Sequence, residues 1–212
     1  MHYSPRDYYK AVEAIIWAGR EAAGARLVSA SGGNISARLG DSGYCVITCS
    51  GSWLGQLSVD DFVVLDVENQ AVIDGSAKPS SEYKVHTMTY AARPDVRAVV
   101  HLHPQWTVLA RALDVATKPL TLDHFSYLGD IGYVSFAPNG SDQLGQDVAA
   151  AAAAGSDAIV LDHHGSACLG EDIPMAFRRS LNLEEAARAS VITALAGHPP
   201  INFPAELARP HA

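Results

Sequence analysis

The sequence contains few cysteines, no long apolar run and few charged residues. Its three cysteines, Cys45, Cys49 and Cys168, form no Cys-x-x-Cys pair, so a disulfide framework is not expected and a reducing compartment is favoured. No stretch reaches the roughly 18 apolar residues that cross a bilayer, and Met1–Lys10 lacks the apolar segment of a signal peptide. These absences together predict a soluble, cytoplasmic protein that has no membrane partner.

Basic residues are scarce as well. The 15 Lys and Arg residues are outnumbered by 23 Asp and Glu residues, which gives a formal charge of −8. This balance argues against a nucleic-acid partner, because nucleic-acid-binding domains are usually strongly basic. Charged residues make up 18% of the chain and apolar residues 48%, which indicates an ordered protein and favours an oligomer with charge-poor interfaces. The length predicts a single domain over residues 1–212.

Apolar segments of strand type alternate with helical segments along the chain, which predicts a layered α/β domain. Strands are expected near residues 35–39, 44–48, 62–67, 71–73, 96–102, 131–136 and 158–161. Helices are expected near residues 5–24, 79–93, 104–113, 141–154 and 174–196. The proline-rich tail from Gly197 is expected to be irregular.

Two histidines, His101 and His103, follow the apolar residues 98–100 at the end of a predicted buried strand. Side chains alternate along a strand, so both imidazoles project from the same face. Two imidazoles at the end of a core strand are costly to bury unless a neutral partner or a metal satisfies them. The pair therefore indicates either two zinc ligands or two hydrogen-bonded structural histidines.

A third histidine is offered by Asp162-His163-His164-Gly165, which follows another apolar strand. Catalytic zinc commonly takes three protein ligands and keeps one position open. Two histidines from one strand end and one from another would supply that set, and Gly165 would allow a sharp turn beside the ion. Spacing alone leaves the choice between His163 and His164 open.

Glu82 stands at the start of a predicted helix in a chain with few charges. A carboxylate in a first helical turn is ordinary, because the helix dipole favours it there. It would gain a catalytic role beside a bound metal, where a base is needed to move protons. Small polar clusters at Ser31-Gly32-Gly33-Asn34, Ser50-Gly51 and Ser80-Ser81 are either plain loops or places where N–H groups and hydroxyls bind an anion such as phosphate.

Six segments, in order and with natural spacing, resemble the class II aldolase/adducin family from about residue 8 to residue 197. The matching segments are Ser-Gly-Gly-Asn-Ile-Ser at 31–36, Ile-Thr-Cys-Ser-Gly at 47–51, Lys-Pro-Ser-Ser-Glu at 78–82, Arg-Pro-Asp-Val-Arg-Ala-Val-Val-His-Leu-His-Pro at 93–104, His-His-Gly at 163–165 and Leu-Glu-Glu-Ala-Ala-Arg at 183–188. The resemblance implies a three-layer αβα sandwich with a largely antiparallel central sheet. It also implies a homotetramer with active sites at subunit interfaces.

By position, His101 and His103 match two zinc ligands of the family, and the resemblance selects His164, directly before Gly165, as the third. Glu82 matches the acid/base carboxylate. The residues that match the family's phosphate-binding positions are Gly33, Asn34, Ser50, Gly51, Ser80 and Ser81. The implied cofactor is Zn²⁺, with Mn²⁺ or Co²⁺ as alternatives.

The resemblance implies a lyase that cleaves a carbon–carbon bond of a small hydroxy-carbonyl substrate, expected to be a sugar phosphate, by retro-aldol chemistry. The metal would stabilise the enediolate that cleavage leaves, and Glu82 would move a proton to or from the reacting carbon. Loss of carbon dioxide gives the same intermediate, so a metal-dependent decarboxylase is the alternative. A non-catalytic, adducin-like interaction domain is a third hypothesis, which the retained histidines and Glu82 disfavour.

One segment departs from the family pattern. The family's aldolases use a tyrosine after the helix that follows His-x-His as a proton donor across the interface, and here the corresponding residues are Asp123 and His124. His124 is therefore expected either to protonate a leaving group or to pack in the core or at an interface. The family's epimerases usually carry Asp at the position of Glu82, so an epimerase is disfavoured.

Overall fold

A computed structural model describes residues 3–197 and 203–204 of the chain. The strands in this part of the chain are β1 (Asn34–Arg38), β2 (Tyr44–Thr48), β3 (Phe62–Asp66), β4 (Val72–Asp74), β5 (Ala98–Leu102), β6 (Ile131–Val134), β7 (Ala158–Leu161) and β8 (Gly165–Gly170). They form one sheet in the order β4-β3-β2-β1-β5-β8-β7-β6. Neighbouring strands are antiparallel except β6 and β7, which are parallel.

Helices cover both faces of this sheet. Those in the described residues are α1 (Pro5–Gly24), α2 (Tyr83–Ala92), α3 (Gln105–Ala112), α4 (Leu122–Leu128), α5 (Asp142–Ala153) and α6 (Ile173–Leu195). A search of the same residues finds no helix with the length and apolar character that a bilayer crossing requires.

The alternation of side chains along β5 separates two hydrophobic layers. Val100 and Leu102 belong to a core that also contains residues of α1 and α6. Val99 belongs to the core on the other face, together with residues of α2 and α5. Successive side chains of a strand point to opposite faces, so His101 lies on the α2 and α5 face. The predicted three-layer sandwich with a largely antiparallel sheet is confirmed.

The predicted strands and helices are confirmed to within a few residues, but β8 and α4 are missing from the predicted set. β8 has a glycine at each end and no β-branched or aromatic residue, so its sequence lacks the β-branched alternation of a strand. It is a strand because its backbone pairs with β5 on one side and β7 on the other. α4 has seven residues, too few to show a helical period. The predicted irregular tail beyond Gly197 lies, apart from residues 203–204, outside the described residues.

Glu184 of α6 holds the first turn of α3. Its Oε1 accepts a hydrogen bond from the backbone N–H of Trp106 at 2.9 Å, and its Oε2 accepts from the N–H and the hydroxyl of Thr107, both at 2.8 Å. The first N–H groups of a helix have no partner within the helix. A carboxylate from a distant helix supplies that partner here. Because α3 begins two residues after His103, the contact also fixes the chain that leaves the histidine pair.

Replacing Glu184 by alanine is expected to lower the free energy of unfolding by about 2 kcal/mol, because three donors lose a charged acceptor. The adjacent Glu185 is a matched control, since it lies on the same helix and its side chain is 74% exposed. Glu185→Ala should change the free energy by less than about 0.5 kcal/mol. Urea unfolding followed by circular dichroism measures both values, and equal losses in the two variants would contradict the proposed role of the contact.

Candidate metal centre and active site

Three parts of the fold meet at one end of the central strands. His101 is the fourth residue of β5, and His103 follows the end of that strand. His164 lies in the turn between β7 and β8, and β8 pairs directly with β5. Glu82 is the residue before α2, the helix that packs on the same face of the sheet. The sheet therefore brings together side chains that are up to 82 positions apart in the sequence.

The four side chains converge closely. Each offers one ligand atom, and these atoms all lie within 4.8 Å of one another. His101 Nε2 is 3.1 Å from His103 Nε2 and 3.0 Å from Glu82 Oε2. His164 Nε2 is 3.1 Å from Glu82 Oε1. Three imidazoles and a carboxylate in such a cluster form a donor set that suits Zn²⁺ and related divalent ions.

The hydrogen bonding of His101 shows why the cluster suits a cation. Its Nδ1 lies 3.0 Å from the carbonyl oxygen of Ser166, so Nδ1 carries the proton and donates it there. When that ring is neutral, Nε2 is an acceptor, yet it faces a second imidazole nitrogen and a carboxylate oxygen. Glu82 Oε1 is buried and receives no well-formed hydrogen bond among the described residues, although His164 Nε2 lies 3.1 Å away. Lone pairs that face one another in this way are satisfied by a positive ion between them.

The charge states of the cluster fit the same conclusion. Burial raises the pKa of the Glu82 carboxyl, but the charge and hydrogen bonding of His101 in its protonated form, and then the interaction with His164, outweigh it and hold that pKa well below its usual range. Burial lowers the pKa of His103 to about 4, with further contributions from the charges of His101 and His164. An ionised carboxylate and a neutral imidazole are the forms that bind metals at neutral pH.

The turn between β7 and β8 decides which of its two histidines enters the cluster. His163 has a φ of 58°, in the left-handed region, and its side chain is exposed. The backbone N–H of His164 closes the turn on the carbonyl of Leu161 at 3.1 Å. His164 thereby faces Glu82, and its assignment as a metal ligand stays a prediction.

Two glycines allow the backbone to pass close to the cluster. A Cβ on Gly165 would collide with the carbonyl of Leu102 and would lie 2.9 Å from the ring of His103. Gly33 has a φ of 76°, and a Cβ there would lie 2.8 Å from the carbonyl oxygen of His101. Both glycines therefore position the site through close packing of main chain against the end of β5.

Four of the six residues predicted to hold phosphate, Ser50, Gly51, Ser80 and Ser81, lie in two loops that pair with each other. Ser50 donates its N–H to Lys78 O at 2.9 Å, and Ser80 donates its N–H to Thr48 O at 3.0 Å. Ser50, Gly51 and Ser81 are exposed, whereas Ser80 is buried and its hydroxyl accepts the N–H of Glu82 at 3.3 Å. The last contact links these loops to the cluster.

Asn34 is engaged differently from the loop residues. Its side-chain Nδ2 donates to Glu82 Oε2 at 2.9 Å, and its Oδ1 lies 2.5 Å from His86 Nε2. The side chain is buried, and both of its polar atoms have partners within the protein. Asn34 therefore contacts the carboxylate of the cluster, and its predicted role in phosphate binding stays a prediction.

His124 is not brought to the cluster. It lies in α4, which packs against α6, and it is buried with its Nε2 3.6 Å from Glu185 Oε2. Its Nδ1 accepts the N–H of Leu120 at 3.3 Å. Within the described residues its Nε2 has no hydrogen-bond partner. Its role as a proton donor to a leaving group stays a prediction, while its packing matches the other expectation.

Sequence reasoning missed several polar residues behind the cluster. The carbonyl of Ser166 that orients His101 is a backbone group in β8, so the residue type at this position does not indicate the contact. His86 and Tyr90 are fully buried on α2 and connect to Asn34 through hydrogen bonds. A signal existed for both, since residues four apart share a helix face and positions 82, 86 and 90 follow that spacing.

Comparison with known proteins agrees with the fold. The family model described as the class II aldolase and adducin N-terminal domain matches residues 13–191, and the chain belongs to this family. An L-fuculose phosphate aldolase of Methanocaldococcus jannaschii is 33% identical over 170 residues, which cover 80% of this chain and 90% of that protein. A 3-oxo-tetronate 4-phosphate decarboxylase of Haemophilus influenzae is 32% identical over 161 residues, 74% of this chain and 75% of that protein.

A solved structure of an L-fuculose 1-phosphate aldolase is similar with a TM-score of 0.86 and 25% sequence identity, over 97% of this chain and 94% of that chain. The relatives named are aldolases and a decarboxylase, both of which are lyases. The chain is therefore an enzyme of the lyase class, as the resemblance implies.

Proposed function

We propose that the chain is a zinc-dependent lyase that cleaves a carbon–carbon bond of a small hydroxy-carbonyl substrate, a sugar phosphate, by retro-aldol chemistry. The observation that carries the proposal is the convergence of three imidazole Nε2 atoms and one carboxylate whose lone pairs face one another. His101, His103 and His164 would hold the ion. When bound, the ion supplies Lewis-acid chemistry, since it stabilises the negative charge that develops on a substrate oxygen as the bond breaks.

Glu82 is proposed as the acid/base group. Its carboxylate is 3% exposed and lies within hydrogen-bond distance of the cluster, so it borders the space where a reacting carbon would stand. Asn34 and the N–H of Glu82 hold it through hydrogen bonds at 2.9 and 3.3 Å. In this position Glu82 would exchange a proton with the carbon that loses its bond.

Decarboxylation is a second candidate, favoured by one observation. One relative is a decarboxylase at 32% identity. Loss of carbon dioxide requires only that a carbon be protonated, whereas aldol cleavage also requires that a hydroxyl lose its proton.

A product screen distinguishes the two reactions. The zinc-loaded protein is incubated with sugar phosphates and with hydroxy- and keto-acids, and aldehyde and carbon dioxide are scored separately. Aldehyde release supports the aldolase and carbon dioxide release the decarboxylase. Chelator-treated protein is the control, and equal product in the treated and zinc-loaded samples would contradict a metal-dependent reaction. A purified chain that binds no zinc would instead favour the non-catalytic, adducin-like alternative.

Gly33 and the paired loops with Ser50, Gly51, Ser80 and Ser81 are proposed to hold the substrate phosphate. Ser50, Gly51 and Ser81 are exposed beside the segment that leads into Glu82.

Replacing Ser50 by alanine is expected to raise KM for a phosphorylated substrate about tenfold, because one hydrogen bond to a charged group is lost. KM for the dephosphorylated form should stay unchanged. The matched control is Ser4→Ala, whose hydroxyl makes no capping hydrogen bond at the distant start of α1. Steady-state kinetics with both substrates measures the difference, and equal losses for the two would argue against a phosphate site.

Three further expectations remain proposals. The domain is proposed to span residues 1–212 and to form a homotetramer, which sedimentation at equilibrium would test. Large exposed apolar side chains, including Trp53 at 53% and Phe136 at 64%, supply surface for such contacts. A cytoplasmic location follows from the three free, buried cysteines, since reducing compartments keep thiols unpaired.

A further inference from the structure

A line of buried polar side chains runs from Glu82 into the layer between the sheet and α2. Asn34 Oδ1 lies 2.5 Å from His86 Nε2, and His86 Nδ1 lies 2.7 Å from the hydroxyl of Ser36. That hydroxyl lies 2.7 Å from the hydroxyl of Tyr90. His86, Ser36 and Tyr90 are all 0% exposed. Neither the metal donors nor the phosphate loops include these three residues, which we call the buried relay.

The direction of every hydrogen bond in the buried relay follows from the charge on Glu82. A carboxylate accepts only, so the side chain of Asn34 presents its Nδ2 to Glu82 and its Oδ1 to His86. His86 must therefore carry its proton on Nε2. Burial, and then the charge of His101, lowers the pKa of His86 to about 3, so the ring is neutral and Nδ1 is an acceptor.

The remaining two bonds are fixed in the same way. Ser36 has one proton, which it donates to Nδ1 of His86. It then accepts from the hydroxyl of Tyr90. Tyr90 is itself held in place, because the guanidinium of Arg38 donates to its carbonyl and stands 4.8 Å from the centre of its ring. Tyr90 is therefore the fixed end of the buried relay, and each hydrogen bond from Tyr90 onward is donated in the direction of Glu82.

We propose that His86, oriented by Ser36 and Tyr90, is a positioning residue that fixes the amide of Asn34 with its N–H toward Glu82. The inference rests on the proposed function, in which Glu82 moves the proton. An amide turned by 180° would present its oxygen to the carboxylate and repel it. His86 prevents this, because its N–H would then face the amide N–H₂. The buried relay thereby sets the place of Glu82 without touching substrate.

The protonated nitrogen of His86 can be observed directly. In protein labelled with ¹⁵N in histidine, loaded with zinc and held at neutral pH, NMR is expected to show His86 as the neutral Nε2–H form. The side-chain amide protons of Asn34 should show slowed exchange with solvent. The Nδ1–H form, or a doubly protonated ring, would overturn the proposal, whether or not the protein turns over any substrate in the screen.

Substitutions then test the effect on the reaction. His86→Leu removes both hydrogen bonds at similar bulk and should lower kcat about 10- to 100-fold, with KM changed less than twofold and one zinc retained per chain. His86→Gln places an amide N–H where Nε2 lies and should restore kcat to within about threefold. A folded, zinc-loaded His86→Leu protein with kcat within twofold of the unsubstituted enzyme would overturn the proposal, as would equal loss in both variants.

Two more variants distinguish a positioning role of His86 from a general effect on the stability of α2. Thr89 is a buried polar residue on the same helix, but its hydroxyl bonds only the helix carbonyl of Val85 at 2.6 Å. Thr89→Val should leave kcat and the His86 spectrum unchanged. Ser36→Ala should lower kcat about three- to tenfold and shift the Nδ1 signal of His86. This variant tests the proposal if His86→Leu does not fold. An unshifted signal with unchanged kcat would overturn the role of the relay.

Discussion

Replacing His164 by alanine is expected to remove the divalent ion from the protein while the fold survives. The side chain of His164 is 14% exposed and lies in a turn, so its removal costs little packing. It contributes one of three imidazoles, and loss of a supporting partner alone lowers metal affinity about 10- to 100-fold in known sites. We therefore expect affinity to fall by more than about 100-fold and turnover to fall to below about 1%.

His163 offers a matched control in the same turn. It is exposed with a φ of 58°, a conformation that asparagine tolerates well, so His163→Asn should keep both the turn and the ion. Metal analysis of the purified variants, with thermal unfolding of each, makes the comparison. Full zinc occupancy in His164→Ala would contradict the assignment of His164 as a ligand. Loss of zinc in His163→Asn would show that His163 is needed to bind the ion and that the choice between the two histidines is wrong.

Glu82→Gln is expected to keep the ion and lose about 10²- to 10⁴-fold in kcat, the usual contribution of a positioned acid/base group. The substitution preserves shape but removes the atom that takes the proton. Three imidazoles remain to hold zinc, so one ion per chain should still be found. Rates close to those of the unsubstituted enzyme would remove Glu82 from the mechanism.

The control for Glu82 is a carboxylate far from the cluster. Glu21 is exposed on α1, and Glu21→Gln changes the net charge of the chain by the same amount. It should leave kcat and zinc content unchanged. If Glu82→Gln instead loses its zinc together with its activity, Glu82 acts as a ligand and the proposed division of roles is wrong.

The sequence predicts most of the fold because the local signals are strong. Pro5 opens α1, and the apolar run before His101 marks β5, so both elements are confirmed close to their predicted bounds. Because side chains alternate along a strand, the sequence also predicts that His101 and His103 share a face. By contrast, β8 is made a strand by its neighbours, because small residues carry no periodic pattern and only pairing with β5 and β7 defines it.

The candidate site is likewise predictable from the sequence only in part. Histidines at strand ends are visible in the sequence, and the resemblance then chooses between His163 and His164. The partners of those histidines are not visible, because hydrogen bonds such as Ser166 O to His101 depend on the register of β5 against β8. The position of His124 depends on how α4 packs against α6, which no local pattern in a seven-residue helix can specify.

The strand order has a consequence for how the molecule opens. β5 stands in the interior of the sheet between β1 and β8, whereas β4 and β6 are its edges. Edge strands fray at lower free energy than interior strands. A partly unfolded molecule that has lost β4 would thus keep the proposed metal site, and release of zinc from that site during denaturation would report rupture of the innermost strands. Added zinc, in turn, should slow amide exchange in β1, β5 and β8 more than in β4.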